Sequence, residues 1–210
     1  QQVAAARAGV KVELGWRASA DDILALKPDA VVLATGAGMA WPTYLPDDLR
    51  DEGFIPDLRQ TVAAILDHPG KQSGTAVIYD MDHMDGTYAA ATFLKSKFDR
   101  VVIVTEREQI ARDESVVRNQ AIYKRIYEAG VELVLLSEIA GDSRLIDGVV
   151  TCRNVYTGAE HDIDDVALFT YSTPRVPEAG LQAPLEAAGI EVHLIGDAYA
   201  PRTLMAATAD

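Results

Sequence analysis

Two short stretches carry residue types that could hold a ligand at the end of a strand. The first is Val31-Val32-Leu33-Ala34-Thr35-Gly36-Ala37. Gly36 has no Cβ, so a bound molecule can lie against the backbone there, and Thr35 offers a hydroxyl. The second is Ile195-Gly196-Asp197-Ala198, followed by Pro201-Arg202-Thr203. Here a glycine and a carboxylate precede the expected start of a helix. The Asp197 carboxylate can accept hydrogen bonds from sugar or ribityl hydroxyls, and helix amides attract anions. Taken singly, the first stretch is equally an ordinary glycine turn, and Asp197 a simple helix cap.

A third stretch is informative by what it lacks. Val77-Ile78-Tyr79-Asp80-Met81-Asp82-His83-Met84-Asp85-Gly86 occupies a strand-to-helix turn where G-x-G-x-x-G would bind a pyrophosphate. With Gly86 as the third glycine, the first two positions hold Met81 and His83, whose side chains block a close backbone approach. Asp80, Asp82 and Asp85 put three carboxylates where phosphate would lie. Two like unit charges a few Å apart cost on the order of 1–4 kcal/mol near a protein surface. Glu106 stands where a ribose-binding acid would, at the end of the next strand. The expectation is a relic of a dinucleotide site that does not take NAD.

Asp80, Asp82, His83 and Asp85 could in principle coordinate a cation, but the central Gly and distal Glu of a calcium loop are absent. His68, His161 and His193 read as structural. Cys152, on a strand, reads as a small buried hydrophobe. No nucleophile–base pair emerges, so no catalytic residue and no metal ligand is assigned.

The elements that would position these residues alternate between strand and helix. Residues 2–8 read as the tail of a helix closed by Gly9, and residues 10–14 alternate apolar and polar like a half-covered strand. Ser19 caps a short helical turn ending before Pro28. Residues 30–34 are apolar on both faces, as in a central parallel strand. Residues 38–53 are rich in Pro, Gly and Asp and read as a connection, and residues 57–68 as a helix. A βαβ unit follows, with strand 75–79, helix 87–97 and strand 100–105. Then come an amphipathic helix at 119–129 stopped by Gly130, and a strand at 131–136. Two strands, 149–156 and 164–171, read as a meander turning at Thr157-Gly158. A last strand, 192–195, leads to a helix at 202–209.

Composition narrows the possibilities. The 210 residues are 49% hydrophobic, enough for one large domain or two small ones. A net charge of -13 argues against nucleic acid and against an anionic membrane surface. The lone cysteine cannot form an internal disulfide, which fits a cytoplasmic protein, nor hold an iron–sulfur cluster, which takes about four thiolates. There is no apolar run of the roughly 18 residues that a membrane span needs, and residues 1–7 lack the charged start, apolar stretch and cleavage site of a signal peptide. The chain starts without Met and both ends fall inside helical patterns, so it reads as a piece of something longer.

The order of the two ligand-holding stretches around an inserted βαβ unit resembles the flavoprotein disulfide-reductase-like module, an FAD domain interrupted by an NAD domain. The whole chain is covered. More closely, Pro28-Asp29-Ala30-Val31-Val32-Leu33-Ala34-Thr35-Gly36-Ala37 and Ile195-Gly196-Asp197-Ala198-Tyr199-Ala200-Pro201-Arg202-Thr203 resemble the C-terminal part of the NADH:flavin oxidoreductase family, the trimethylamine dehydrogenase and dienoyl-CoA reductase group. The resemblance implies an α/β fold, with a Rossmann-like parallel-sheet domain at 54–172 inserted into a partial FAD/ADP-binding domain at 1–43 and 181–210. Residues 44–53 and 173–180 would connect them. It implies FAD or ADP held by Ala34, Thr35, Gly36, Gly196 and Asp197 together with a missing glycine-rich unit, and FMN and a 4Fe-4S cluster upstream of this chain.

The altered turn at Met81 and His83 resembles that of the amine dehydrogenase and N-demethylase branch. That branch oxidises an amine and passes electrons to a separate acceptor such as an electron-transfer flavoprotein. The parent would then be a flavin-dependent oxidoreductase, possible as a homo-oligomer, with the fragment alone inactive. The alternatives are an NAD(P)H-dependent reductase of the dienoyl-CoA reductase type and a non-catalytic docking module.

Overall fold

The computed structural model describes residues 2–45, 47–51, 53, 55–68, 70–141 and 144–201. In chain order the elements begin with α1 (Gln2–Arg7), α2 (Ala20–Ala25), β1 (Ala30–Leu33), β2 (Ala37–Met39), α3 (Asp47–Asp51) and α4 (Leu58–Leu66). Next are β3 (Gln72–Asp80), α5 (Asp85–Lys95), β4 (Phe98–Val104), α6 (Val116–Ala129), β5 (Glu132–Val134) and β6 (Ser137–Ile139). The chain continues through β7 (Val150–Asn154), β8 (Glu160–Ile163), β9 (Val166–Ser172), β10 (Arg175–Pro177), α7 (Gln182–Ala187) and β11 (Glu191–Leu194). Two compact units are drawn from this chain, one from Gln1–Gly38 with Pro177–Asp210 and the other from Met39–Val176. Residues 39–53, read from the sequence as part of a connection, belong to the second unit.

The Met39–Val176 unit is a three-layer α/β structure. Its centre is a parallel sheet in the order β5-β4-β3-β9. β3 is buried from Gly74 to Asp80, and its middle, Ala76 to Tyr79, is accordingly an unbroken apolar run. Successive side chains on a strand point to opposite faces. Ala76, Ile78, Val101 and Ile103 therefore face one layer, with Leu58 and Ile65 of α4, Tyr88 and Leu94 of α5, and Ile122 and Ile126 of α6. Val77, Tyr79, Val102 and Val104 face the other, with Ile139, Val150, Cys152 and Ile163. Those four residues come from β6, β7 and β8, an antiparallel sheet of that order. Fully burying a side chain of this size contributes about 1.5–3 kcal/mol, so the two faces of the sheet dominate the unit's stability.

Local signals set the helix limits. Asp57 caps α4 in a box with Gln60, and Ser19 caps α2 in a box with Asp22. Ser115 caps α6, which ends at Gly130 in the left-handed conformation, φ 69°. β2 and β10 form a separate two-stranded sheet.

One strand of the expected meander lies elsewhere. β7 does turn at Thr157-Gly158, but its partner is β8, the Glu-His-Asp-Ile segment that falls between the two expected strands. β9 instead returns to the main sheet, parallel to β3. The physical reason is burial. β8 exposes its three polar residues at a sheet edge, whereas Phe169, Thr170, Tyr171 and Ser172 of β9 are buried.

The other unit is smaller. β1 pairs in parallel with β11 from Ala30↔Glu191 to Leu33↔Leu194. Leu33 and Leu185 are buried in it. Residues 10–14, expected as a strand, are in no strand and are exposed, since an alternating pattern yields a strand only beside a partner edge. β1, expected to be central, pairs only with β11 among the described residues, and Val32 is 59% exposed. The expected helix at 202–209 lies outside the described residues.

Candidate functional site

In the smaller unit the strand pairing places the two stretches expected to hold a ligand side by side. The Ile195 amide donates to the Leu33 carbonyl at 3.1 Å, so Ala34, Thr35 and Gly36 leave β1 next to Gly196 and Asp197 leaving β11. Both glycines adopt positive φ, 81° at Gly36 and 58° at Gly196, which side chains rarely accept. A Cβ built on Gly36 meets nothing within 4 Å, so its need for glycine is conformational and the space beside it is open.

The Thr35 hydroxyl is engaged within the protein, donating to the Glu178 carbonyl, while the Glu178 amide donates to the Gly36 carbonyl at 2.9 Å. Asp197 begins no long helix. It lies in a single 3-10 turn, Gly196–Ala198. Arg202 and Thr203, part of the same stretch, lie outside the described residues. The arrangement puts open backbone at Gly36 beside the strand end that leads into Asp197.

In the larger unit, β3 has β4 on one side and β9 on the other, which makes its carboxyl end the crevice where ligands of open parallel sheets bind. A pyrophosphate there would need free amides. Instead, the Met81 and Asp82 amides donate to the Ser172 carbonyl at 2.8 and 2.9 Å, and the His83 amide donates to Asp80 Oδ1 at 2.9 Å. Three successive donors thus point inward. His83 adopts φ 58°, the left-handed conformation at a non-glycine residue, and its side chain is buried.

Two acids of the turn, Asp80 and Asp85, are also engaged. Asp80 is buried and accepts the Tyr88 hydroxyl at 2.8 Å. Asp85 pairs with Arg125. Burial is the main influence on Asp82 and raises its carboxyl above the usual range, with the nearby Arg175 pulling the other way. No group of three or more His, Cys, Asp or Glu residues able to hold a metal ion occurs among the described residues.

Gly86 does not do what the third glycine of the fingerprint does. A Cβ on it meets nothing within 4 Å. The close contact between α5 and β9 is made instead by Thr87, whose Oγ1 lies 2.7 Å from Ser172 Oγ. Glu106, beyond the end of β4, accepts the Tyr79 hydroxyl. The Tyr79 ring meets Tyr44 edge-on, with centroids 4.9 Å apart. Composition and spacing had not singled out Tyr44, Tyr79, Tyr88 or Ser172. Their polar atoms sit on apolar stretches whose periodicity records only burial.

Among the described residues no helix is long and apolar enough to cross a membrane. A scan against protein-family models found no match. N,N-dimethylglycine/sarcosine dehydrogenase of Chromohalobacter salexigens is 29% identical over 172 residues, 80% of this chain and 24% of that protein. Histamine dehydrogenase from Rhizobium sp. 4-9 superposes with a TM-score of 0.71 at 23% identity, over 95% of this chain and 32% of its own. 2-Naphthoyl-CoA reductase superposes with a TM-score of 0.79 at 19% identity, over 100% of this chain and 30% of its own. The likeness extends to the thioredoxin reductase of Lactococcus lactis, with a TM-score of 0.62 at 18% identity over 86% of this chain and 62% of its own.

The chain therefore spans about a quarter of the curated relative and about a third of the first two solved structures. Its parallel-sheet α/β fold resembles the FAD and NAD domains of thioredoxin reductase, and the chain has the fold of the C-terminal portion of the trimethylamine dehydrogenase and dienoyl-CoA reductase group.

Proposed function

We propose that this chain is the nucleotide-binding and scaffolding part of a flavin-dependent amine dehydrogenase or N-demethylase, which delivers electrons to a separate acceptor protein. The observation that carries this reading is the closed turn after β3. Met81, Asp82 and His83 direct their amides inward, away from a ligand in the crevice, which speaks against a nicotinamide cofactor in the larger unit. An oxidoreductase without bound nicotinamide must pass its electrons to another acceptor. The sequence likeness to an N,N-dimethylglycine/sarcosine dehydrogenase supports an amine as the substrate class.

In this reading the smaller unit holds ADP or FAD jointly with a segment outside this chain. The residues present fit such a group in two respects. Gly36 leaves open space along the backbone, and Asp197, a side chain of the type that accepts sugar hydroxyls, follows Gly196 at the neighbouring strand end. Thr35 acts as a positioning residue, because its hydroxyl ties the β1 exit to Glu178. FAD, when bound, supplies redox chemistry or, as with ADP, a structural anchor. Oxidation of the amine would take place on FMN elsewhere in the parent, with a 4Fe-4S cluster there to carry the electrons onward. The larger unit serves as a scaffold rather than a cofactor site.

The second reading is an NAD(P)H-dependent reductase. The observation favouring it is the superposition on 2-naphthoyl-CoA reductase. The test is the absorbance spectrum of the full-length protein with extraction of its nucleotides and titration with NADH. Bound FMN with a cluster shoulder, ADP or FAD in the extract and no saturable NADH binding are expected. Saturable NADH binding that reduces the flavin would transfer the assignment to the reductase. A colourless full-length protein would leave only a docking module.

A further inference from the structure

We propose that the carboxyl end of β4 is a latent adenosine site which the chain fills with its own side chains, Tyr79 bonded to Glu106 and Tyr44 packed across Tyr79. This rests on the reading that the larger unit takes no nicotinamide dinucleotide, and it extends that reading from the pyrophosphate turn to the nucleoside end.

In parallel sheets of this kind, the acid at the end of the strand after the first crossover accepts the ribose hydroxyls. The order β5-β4-β3-β9 makes β3 the first strand and β4 the one after it, and Glu106 stands two residues past Val104, where β4 ends. Its carboxylate accepts a hydroxyl, but that of Tyr79, which is 1% exposed. A phenol is a rigid ring with an O–H donor, and it satisfies the carboxylate as a ribose hydroxyl would. Over the same place lies a second ring, Tyr44, at 88° to Tyr79. The Tyr44 hydroxyl is shut off from solvent without a hydrogen-bond partner, a cost that its ring packing must offset.

The segment carrying Tyr44 is held independently of Glu106. Trp41 Nε1 donates to the Leu45 carbonyl at 3.2 Å, and the Trp41 ring meets Tyr171 edge-on, with centroids 5.6 Å apart. The phosphate end of the crevice is closed by the inward amides of Met81, Asp82 and His83. A nucleoside, and not a dinucleotide, is therefore the class of ligand that an opened site would accept.

The test uses the full-length protein with any nucleotide it carries left in place, and adenosine as the probe. Wild type, Tyr79→Phe and Tyr44→Ala/Tyr79→Phe are compared by calorimetry and by amide shifts at Thr105, Glu106 and Arg107. The double variant should gain a site at least tenfold tighter than any adenosine binding by wild type, and adding Glu106→Gln should remove it. Tyr79→Phe alone keeps both rings and serves as the control with no opened space, whereas Tyr44→Ala alone, added to the set, clears the space over Tyr79 and should give weaker adenosine-dependent shifts at those amides if the double variant does not fold. A folded double variant with no such shifts, or a folded Tyr44→Ala with none where the double variant does not fold, overturns the proposal. So does wild-type protein that already binds adenosine through Glu106. NADH titration reports separately on the underlying reading, so the two can fail independently.

Discussion

The Tyr88 hydroxyl stands between two loops, donating to the Asp80 carboxylate at 2.8 Å and accepting the Ala111 amide at 2.7 Å. All three residues are buried. One phenol thereby joins the turn after β3 to the loop after β4, where Ala111 itself adopts φ 52°. Burial and the Asp80 charge together raise the Tyr88 hydroxyl far above its usual range, so it remains a proton donor at all ordinary pH values.

Tyr88→Phe leaves the ring and removes the bridge, so both the carboxylate and the amide lose a partner. A buried group left unsatisfied costs about 1–3 kcal/mol, and the variant should lose about 2–3 kcal/mol in urea unfolding. An unchanged midpoint would mean that the two loops are not held through this hydroxyl.

Two glycines separate the units by role. Gly86 lies in the first turn of α5 with open space around its missing Cβ, whereas Gly36 holds φ 81°. Gly86→Ala should stabilise the protein by about 0.5–1 kcal/mol through helix propensity. Gly36→Ala should destabilise it by about 1–2 kcal/mol through left-handed strain. Equilibrium unfolding of the two variants decides the point. A destabilised Gly86→Ala would restore the packing role of the third glycine in the fingerprint.

Legibility followed the physics of each segment. The βαβ unit was readable because β3 and β4 are buried on both faces, and Asp57, Ser115 and Gly130 mark helix ends by chemistry that acts locally. The partner of β7 was not, because Glu160, His161 and Asp162 are polar at a sheet edge and carry no apolar signal. Residues 10–14 carried that signal but have no adjoining strand. The loss of the fingerprint glycines was visible at Met81 and His83. That Ser172 takes up the turn's amides and Tyr79 takes up Glu106 was not, since both contacts join residues far apart in sequence.

Two carboxylates should show opposite pH dependence. Glu132 is held below its ordinary value of 4.5, chiefly by the hydrogen bond from Arg100, with Nε 2.9 Å from Oε1. A lowered folded value means that its contribution is present above the unfolded value and is lost as pH falls through the folded one. The pair is half exposed, so Glu132→Gln should cost under about 1 kcal/mol at neutral pH and nothing in strong acid.

Asp82 is raised, mainly by burial. Its neutral form is the one the fold favours, so stability falls as pH rises through its folded value. Asp82→Asn should match wild type in acid and exceed it near neutrality. Urea midpoints from about pH 3 to about pH 7 compare the two variants, and parallel curves would mean that neither shift is real.

Cys152 offers a direct probe of opening in the larger unit. It is fully buried on β7, and burial, with Asp162 nearby, pushes its thiol up to about 11. The thiolate is the reactive form, so at neutral pH the folded protein holds little of it and shields what there is. In the unfolded chain the thiol returns toward about 8.5 and faces solvent, and there it reacts. Alkylation by iodoacetamide should therefore be negligible in the native state and rise with urea in step with the loss of helical circular dichroism. It should also slow when Tyr88 is intact relative to Tyr88→Phe, because Val102 and Val104 of β4 share the core with Cys152 and the phenol ties the loop after that strand. Labelling that is fast in native protein, or that precedes the spectroscopic transition, would show that the β6-β7-β8 sheet opens separately from the parallel sheet it covers.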